Sequence, residues 1–171
     1  MANVKEIMSS EQVIRTLKRI THEIIERNQD LNDIVLVGIL KKGYPIAKIL
    51  KENLMKFAGI EVDCYPLDIS NYRDDRIDNE SNQQNSVKNF HIEKKTVILV
   101  DDVLYTGRSV RAAMDALIDY GRPSKIQFAV LVDRGHRELP IRADYIGKNI
   151  PTSSSEKVFV NTTDFSVDIR D

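Results

Sequence analysis

The sequence predicts an α/β fold with a mainly parallel central sheet flanked by helices. Apolar runs typical of buried strands alternate with amphipathic segments typical of helices along the 171 residues. Two of the predicted strands, Ile34–Leu40 and Thr96–Val100, run directly into polar turns that contain glycine. Open α/β sheets bind ligands at the carboxyl ends of their strands, so these two turns are the first candidates for a functional site.

Composition is that of an ordinary globular domain and excludes several classes of protein. The chain is 42% apolar and 30% charged, and 171 residues suffice for one domain, 1–171, with no repeat or linker. The single cysteine, Cys64, excludes an internal disulfide framework and indicates a reducing compartment. No apolar run approaches the length of a membrane span and no signal-peptide core follows Met1, so we expect a cytoplasmic protein without a membrane partner.

The N-terminal segment predicts a helix with one basic face. Ser9 and Gln12 resemble a capping box, and apolar residues recur at helical spacing from there to about Asn28. The opposite face carries Arg15, Lys18, Arg19 and His22. Such a stripe is more often a solvated helix face than a binding surface. The net charge of −1 means that any RNA binding must come from a local concentration of positive charge.

The first glycine turn ends the strand at Ile34–Leu40. Its residues Lys41, Lys42 and Gly43 precede a helix that we expect to begin near Pro45, a residue favoured in a first helical turn. A basic glycine turn at a helix N-terminus can bind an anion. Two exposed lysines in a turn are also commonplace.

The second turn follows two adjacent carboxylates, Asp101 and Asp102. Gly107 lies in this turn, and an amphipathic helix is predicted over Val110–Tyr120. Backbone N–H groups, hydroxyls and the helix dipole suit a phosphate monoester, whereas the acids suit vicinal hydroxyls. Together they describe a ribose 5-phosphate. The alternative is an ordinary strand–turn–helix corner whose acids are solvated.

The remaining segments predict further strands and one long loop. Glu61–Ile69 is expected to be a strand at or near a sheet edge because of Pro66. Residues 70–89 lack periodicity and form either a disordered loop or a functional lid. Lys125–Val132 predicts the next strand, and it leads into Asp133 and Arg134.

Several of these segments resemble one known family. Residues 97–109 resemble the phosphoribosyl-pyrophosphate signature of type I phosphoribosyltransferases. Residues 132–152, together with Tyr72–Asp75 and an N-terminal segment of matching pattern, resemble the bifunctional pyrimidine-operon attenuation regulators and uracil phosphoribosyltransferases. The resemblance covers nearly the whole chain. It implies the type I phosphoribosyltransferase fold, with a flexible lid loop at about 70–89 and a small hood at about 134–160 built from Tyr145–Gly147 and Lys157–Val160.

The resemblance implies transfer of ribose 5-phosphate from phosphoribosyl pyrophosphate to uracil, giving UMP and pyrophosphate. Mg²⁺ is implied through the substrate's oxygens, with no direct protein ligand. Asp101, Asp102 and Arg73 are the implied catalytic residues, the acids at the ribose and Arg73 over the pyrophosphate. Tyr105 stands where purine-salvage relatives carry an aspartate, which argues against a purine base and leaves no obvious general base. The implied substrate-binding residues are Lys41, Lys42, Gly43, Val103, Leu104, Tyr105, Thr106, Gly107, Arg108, Ser109, Asp133 and Arg134.

The same resemblance implies a regulator that binds pyrimidine-operon leader mRNA and senses UMP or UTP in the same pocket. Its implied RNA-binding residues are Lys18, Arg19, His22, Arg137 and Arg142. Arg137 and Arg142 could equally pair with nearby acids. Because the chain is near neutral, a homodimer or higher homo-oligomer that joins two basic stripes would favour RNA binding. The alternative is a type I transferase for another base with no RNA-binding role.

Overall fold

The computed structural model describes residues 3–74 and 90–171. Most of the lid loop expected at about 70–89 therefore lies outside the described residues. Among the helices of the described part, none is long and apolar enough to cross a membrane. The elements are β1 (Val4–Met8), α1 (Ser10–Arg27), β2 (Ile34–Ile39), α2 (Gly43–Ala58), β3 (Asp63–Leu67), β4 (Thr96–Leu104), α3 (Arg108–Ile118), β5 (Lys125–Asp133), β6 (Tyr145–Asn149), β7 (Lys157–Val160) and β8 (Val167–Arg170).

The central sheet has five parallel strands in the order β3-β2-β4-β5-β6. Alternate residues of β4 face opposite sides: Ile98 and Val100 pack in one core with α1 and α2, whereas Val97 and Leu99 pack in another with α3. Burying each such side chain contributes on the order of 2 kcal/mol. Because β2 and β4 are parallel, the helices that follow them both begin at the same end of the sheet.

Most of the predicted elements are confirmed. Helix α1 begins after Ser9, whose hydroxyl accepts from Gln12 N–H while the Gln12 amide oxygen accepts from Ser9 N–H, a complete capping box. Strand β3 lies at the sheet edge, as Pro66 indicated. Two helices begin slightly earlier than expected, α2 at Gly43 and α3 at Arg108.

The expected hood is wrong in its composition. The segment Tyr145–Gly147, expected in the hood, belongs to β6, which pairs in parallel with β5 as the fifth strand of the central sheet. The small second sheet is instead antiparallel, in the order β1-β8-β7, and joins both ends of the chain. The tail from Asn161 carried no structural expectation, yet it contains β8, because Val167 is buried and pairs with both Met8 and Val160.

One close backbone approach fixes the start of α2 against β4. A Cβ atom placed on Gly43 would lie 2.2 Å from the Val100 carbonyl oxygen and 3.0 Å from the Asp101 Cα. Only glycine therefore allows the Lys41–Gly43 turn to lie directly beside the carboxyl end of the central strand.

Gly43→Ala should destabilise the protein by about 3 kcal/mol, because the buried strand backbone cannot move away from the added methyl group. Gly59→Ala is the matched control. Gly59 has a φ of 66° and open space where its Cβ would lie, so the change should cost only about 1 kcal/mol. Urea denaturation of both variants measures the difference, and a smaller cost at Gly43 than at Gly59 would contradict the close approach.

Candidate active site

Two adjoining cavities open at the carboxyl ends of β2 and β4. One, of about 350 Å³, lies over the turn before α3, and the other, of about 580 Å³, lies over the turn before α2. Four residues line both cavities: Arg73, Asp101, Val103 and Ser109. The structure thus brings the predicted acids, both glycine turns and Arg73 together at one place.

The smaller cavity surrounds the N-terminus of α3. Gly107 has a φ of 98° and caps the helix without a side chain, while Thr106 Oγ1 accepts from Arg108 N–H at 3.3 Å. Helix α1 has a complete capping box, whereas no N-cap side chain bonds to α3 within the described residues. The cavity is lined by every residue from Val103 to Val110, so first-turn N–H groups and the positive end of the helix dipole face it.

The larger cavity surrounds the N-terminus of α2. Its N-cap, Lys42, forms no side-chain cap either, and the Leu40–Lys41 peptide is cis. Lys42 Nζ donates to the Val160 carbonyl at 2.8 Å and lies 3.7 Å from the centroid of the Phe159 ring. The ammonium group of Lys42, an implied substrate-binding residue that lines this cavity, is therefore held against β7.

The two acids differ in burial. Asp101 is 8% exposed and accepts from Asp102 N–H at 2.8 Å, whereas Asp102 is half-buried and accepts from Val103 N–H at 2.9 Å. Burial raises the pKa of Asp101 well above its usual range, the Asp102 carboxylate raises that pKa further, and Arg73 lowers it. Asp101 therefore retains a proton to a higher pH than an exposed aspartate does.

Arg108, one of the implied substrate-binding residues, lines the smaller cavity, and its side chain is bonded to two acids. Its Nη1 lies 2.6 Å from Asp74 Oδ2, and its Nε lies 3.1 Å from Glu138 Oε1. The guanidinium therefore joins Asp74, which precedes the 97–109 segment, to Glu138, which follows it, and the backbone N–H groups at the start of α3 face the cavity. Arg73 Nη1 donates to Ser109 Oγ at 2.7 Å.

A further cluster lies beside the smaller cavity, after β5. Arg134 is 7% exposed, donates from Nε to Thr152 Oγ1 at 3.1 Å and from Nη2 to the Glu156 carbonyl, and its guanidinium lies 4.0 Å from the Tyr105 ring centroid. Asp133 Oδ1 accepts from the N–H of Gly135 at 2.9 Å, which shapes this turn. Thr152 and Glu156 were not singled out from the sequence, because they follow Arg134 by a whole strand and an irregular segment.

The acids fit a magnesium ion that arrives with its substrate. No group of three or more His, Cys, Asp or Glu side chains suited to a metal occurs within residues 3–74 and 90–171. Magnesium commonly uses one or two carboxylates together with water and substrate phosphates. Asp101 and Asp102 on the wall of the larger cavity could contact the waters of such an ion, which fits magnesium held through the substrate's oxygens.

The predicted RNA-binding residues fall into two groups. Lys18, Arg19 and His22 are exposed on α1, whereas Arg137 and Arg142 lie on the loop before β6, whose Ile141 and Ala143 pack against the opposite core. The structure does not bring the two groups into one layer. Arg15 and Arg19 also line a groove of about 370 Å³. Lys148, which is not among the residues predicted from the sequence, lines the same groove.

Two residues of the α1 group have additional contacts. Arg19 pairs with Glu23 at 3.0 Å and donates to the carbonyls of Ile146 and Gly147, at 3.1 and 2.6 Å. His22 stacks on Phe57 of α2 with a centroid distance of 4.8 Å. Arg19 therefore also holds β6 against α1, and Lys18 is the cleaner probe of the basic face.

Asp101→Asn should make the protein more stable than the wild type at pH 8. An aspartate with a raised folded pKa binds more protons folded than unfolded, so wild-type stability falls as pH rises from about 4 through the raised value. Asparagine keeps an oxygen for Asp102 N–H and removes this loss. Urea denaturation at several pH values measures the difference between the two proteins, and a difference that does not grow with pH would contradict the assignment.

Comparison with known proteins identifies the family. The family described as "Phosphoribosyl transferase domain" matches residues 3–170. The "Bifunctional protein PyrR" of Bacillus subtilis is 58% identical over 163 residues, covering 92% of this chain and 90% of the relative. The protein of the same name from Actinobacillus succinogenes is 52% identical over 166 residues, covering 94% and 93%.

Solved structures agree on the fold. A crystal structure of a hypoxanthine-guanine phosphoribosyltransferase from Bacillus anthracis has a TM-score of 0.69 and 22% sequence identity, and the match covers 99% of both chains. This confirms the type I phosphoribosyltransferase fold predicted from the sequence. The chain belongs to the phosphoribosyltransferase family and, within it, to the bifunctional PyrR proteins.

Proposed function

We propose that this protein is a uracil phosphoribosyltransferase and a uridine-nucleotide-dependent regulator that binds pyrimidine-operon leader mRNA and controls transcription attenuation. The observation that carries the enzymatic half is the pair of adjoining cavities at two helix N-termini, with two acids between them. Membership in the bifunctional PyrR proteins carries the regulatory half. Both roles belong in the cytoplasm, where nascent transcripts and phosphoribosyl pyrophosphate occur together.

The substrate fits the site in one direction. The 5-phosphate lies at the N-terminus of α3, where uncapped N–H groups and the helix dipole stabilise an anion. The ribose hydroxyls meet Asp101 and Asp102. The pyrophosphate lies over Lys41–Gly43, so that Arg73, which lines both cavities, sits beside the bond that breaks.

Catalysis is electrostatic and positional. The bond from ribose C1′ to pyrophosphate breaks, the bond from C1′ to a uracil ring nitrogen forms, and the proton of that nitrogen passes to the released pyrophosphate or to water. Magnesium, when bound with the substrate, neutralises charge on the leaving pyrophosphate. Arg73 adds a fixed positive charge there, and the acids stabilise the positive sugar and hold its hydroxyls.

Uracil is expected beside Tyr105 and the Asp133–Arg134 turn. The guanidinium of Arg134 is stacked on Tyr105 and fixed by Thr152, so the wall of this base site is preorganised. A type I transferase for another base, without RNA binding, is the second candidate. It is supported only by fold similarity to purine enzymes at 20–23% identity, and release of pyrophosphate with hypoxanthine but not with uracil would favour it.

The regulatory role uses the same pocket as a sensor. UMP carries the 5-phosphate and the ribose hydroxyls but no pyrophosphate, so it can fill the smaller cavity and contact Asp101 and Asp102. A nucleotide that binds more tightly to the RNA-competent state shifts the population toward it. Since the two basic groups lie on different layers of one chain, a homodimer that brings Lys18 of one subunit near Arg142 of the other would give a continuous RNA surface.

Replacing Asp101 and Asp102 together by asparagine should lower uracil-dependent release of pyrophosphate at least about 100-fold, because the sugar loses both carboxylates. The variant should still fold, as circular dichroism would show, since both acids face the cavity. Asp115→Asn on the outer face of α3 is the matched control. Near-normal turnover in the folded double variant would remove the acids from the mechanism.

Lys18→Ala and Arg142→Ala should each weaken binding of leader RNA in the presence of UMP and reduce its log–log salt slope by somewhat under one. UMP formation should change little, because both side chains are exposed and neither lines the two cavities. Lys125→Ala, at the amino end of β5, is the control of equal charge. If the variant with both Lys18→Ala and Arg142→Ala binds leader RNA with unchanged affinity and unchanged salt slope, the basic stripe is only a solvated helix face.

A further inference from the structure

Three consecutive residues, Tyr72, Arg73 and Asp74, are fastened along α3, and we call them the α3 strap. Tyr72 Oη donates to Asp119 at the C-terminus of the helix. Arg73 Nη1 donates to Ser109 Oγ in the first turn. Asp74 Oδ2 accepts from Arg108 Nη1, at the first residue of the helix.

The strap reaches both ends of the helix. Arg108–Ile118 has 11 residues, which at about 1.5 Å per residue gives a length of about 16 Å. Tyr72 therefore contacts the C-terminal end of the helix, and Arg73 and Asp74 contact its N-terminal end. Tyr72 N–H also donates to the Ile69 carbonyl at 2.9 Å, which fixes the turn that leads into the strap.

The central strap residue is the one that faces the site. Arg73 lines both cavities, and its charge lowers the pKa of the buried Asp101. A flexible arginine side chain has many rotamers, and each bond on a flanking residue removes backbone freedom that would otherwise spread the guanidinium over several positions. The bonds of Tyr72 and Asp74 thus restrict where the Arg73 guanidinium can lie.

The hydroxyl group of Tyr72 is suited to keep its hydrogen bond to Asp119 over a wide pH range. The bond to Asp119, followed by burial, raises the pKa of Tyr72 to about 12, so the phenol remains a donor throughout the working pH range. The other anchor, Asp74 with Arg108, is one-third exposed and further held by Glu138. Arg108 therefore holds the strap while it also lines the smaller cavity.

We propose that Tyr72, Asp119 and Asp74 are positioning residues that hold Arg73 against the leaving pyrophosphate. This rests on the proposed function, because it takes the role of Arg73 from the transfer reaction. None of the three residues touches the reacting atoms. Each acts through the place that it gives to Arg73.

The test combines Tyr72→Phe and Asp119→Asn with Arg73→Ala. Tyr72→Phe and Asp119→Asn should each lower kcat for UMP formation about tenfold and weaken pyrophosphate binding, because a misplaced charge loses much of its effect. The Kd for UMP should rise by a much smaller factor than kcat falls, because UMP lacks the pyrophosphate that Arg73 faces. Neither change should lower kcat further in the Arg73→Ala background. The variant with both Tyr72→Phe and Asp119→Asn should lose no more kcat than either single variant.

Tyr65→Phe is the matched control, because its hydroxyl also donates to a nearby carboxylate, that of Asp63 at 3.2 Å, which belongs to β3 and not to α3. Unchanged kcat in Tyr72→Phe, or an equal loss in the Arg73→Ala background, would overturn the proposal. A loss of UMP affinity in step with kcat would also overturn it, because that result indicates general damage. Calorimetry of pyrophosphate binding separates the strap proposal from the proposed function. If Tyr72→Phe and Asp119→Asn weaken pyrophosphate binding as expected, but the wild-type protein transfers no ribose phosphate to uracil, the strap is supported and the proposed function is refuted.

Discussion

The contact on which the site depends is the approach of the α2 N-terminus to the central strand at Gly43. With no Cβ, the turn before α2 lies against the Val100 carbonyl and the Asp101 backbone. Strand β4 then carries the acids to the same edge at which α3 begins. Because the two helices flank opposite faces of one parallel sheet, two positive helix ends converge on one pair of carboxylates. A substrate with anions at both ends and hydroxyls in the middle matches that arrangement.

This arrangement has a thermodynamic cost at Asp101. The side chain is 8% exposed, and burial together with Asp102 raises its pKa well above the usual range. A buried aspartate that must ionise to serve its ligand destabilises the empty protein at neutral pH. The hydrogen bond from Asp102 N–H and the charge of Arg73 offset part of that cost, and a bound magnesium–substrate complex would offset more. The role proposed for Asp101 and the stability of the empty protein therefore oppose each other at this position.

The sequence predicted the parts of the fold that local patterns determine. The apolar runs of β2 and β4, the capping box of α1 and the glycine turns are local features, and the family resemblance linked them to a substrate. Strand β6 was misassigned because a short run such as Tyr145–Gly147 does not reveal which sheet it joins. The direction of Arg108 could not be predicted, since it is set by Asp74 and Glu138, which lie 34 and 30 residues away in the sequence.

The central claim is that one pocket serves both uracil transfer and nucleotide-dependent RNA binding. One preparation should be assayed for pyrophosphate release with uracil and for retention of a pyrimidine-operon leader RNA with UMP, while phosphoribosyl pyrophosphate is titrated against labelled UMP. Shared use of the pocket predicts that both activities are present and that the apparent Kd for UMP rises linearly with phosphoribosyl pyrophosphate. Simultaneous binding of both ligands, or RNA binding that is indifferent to uridine nucleotides, would contradict the account.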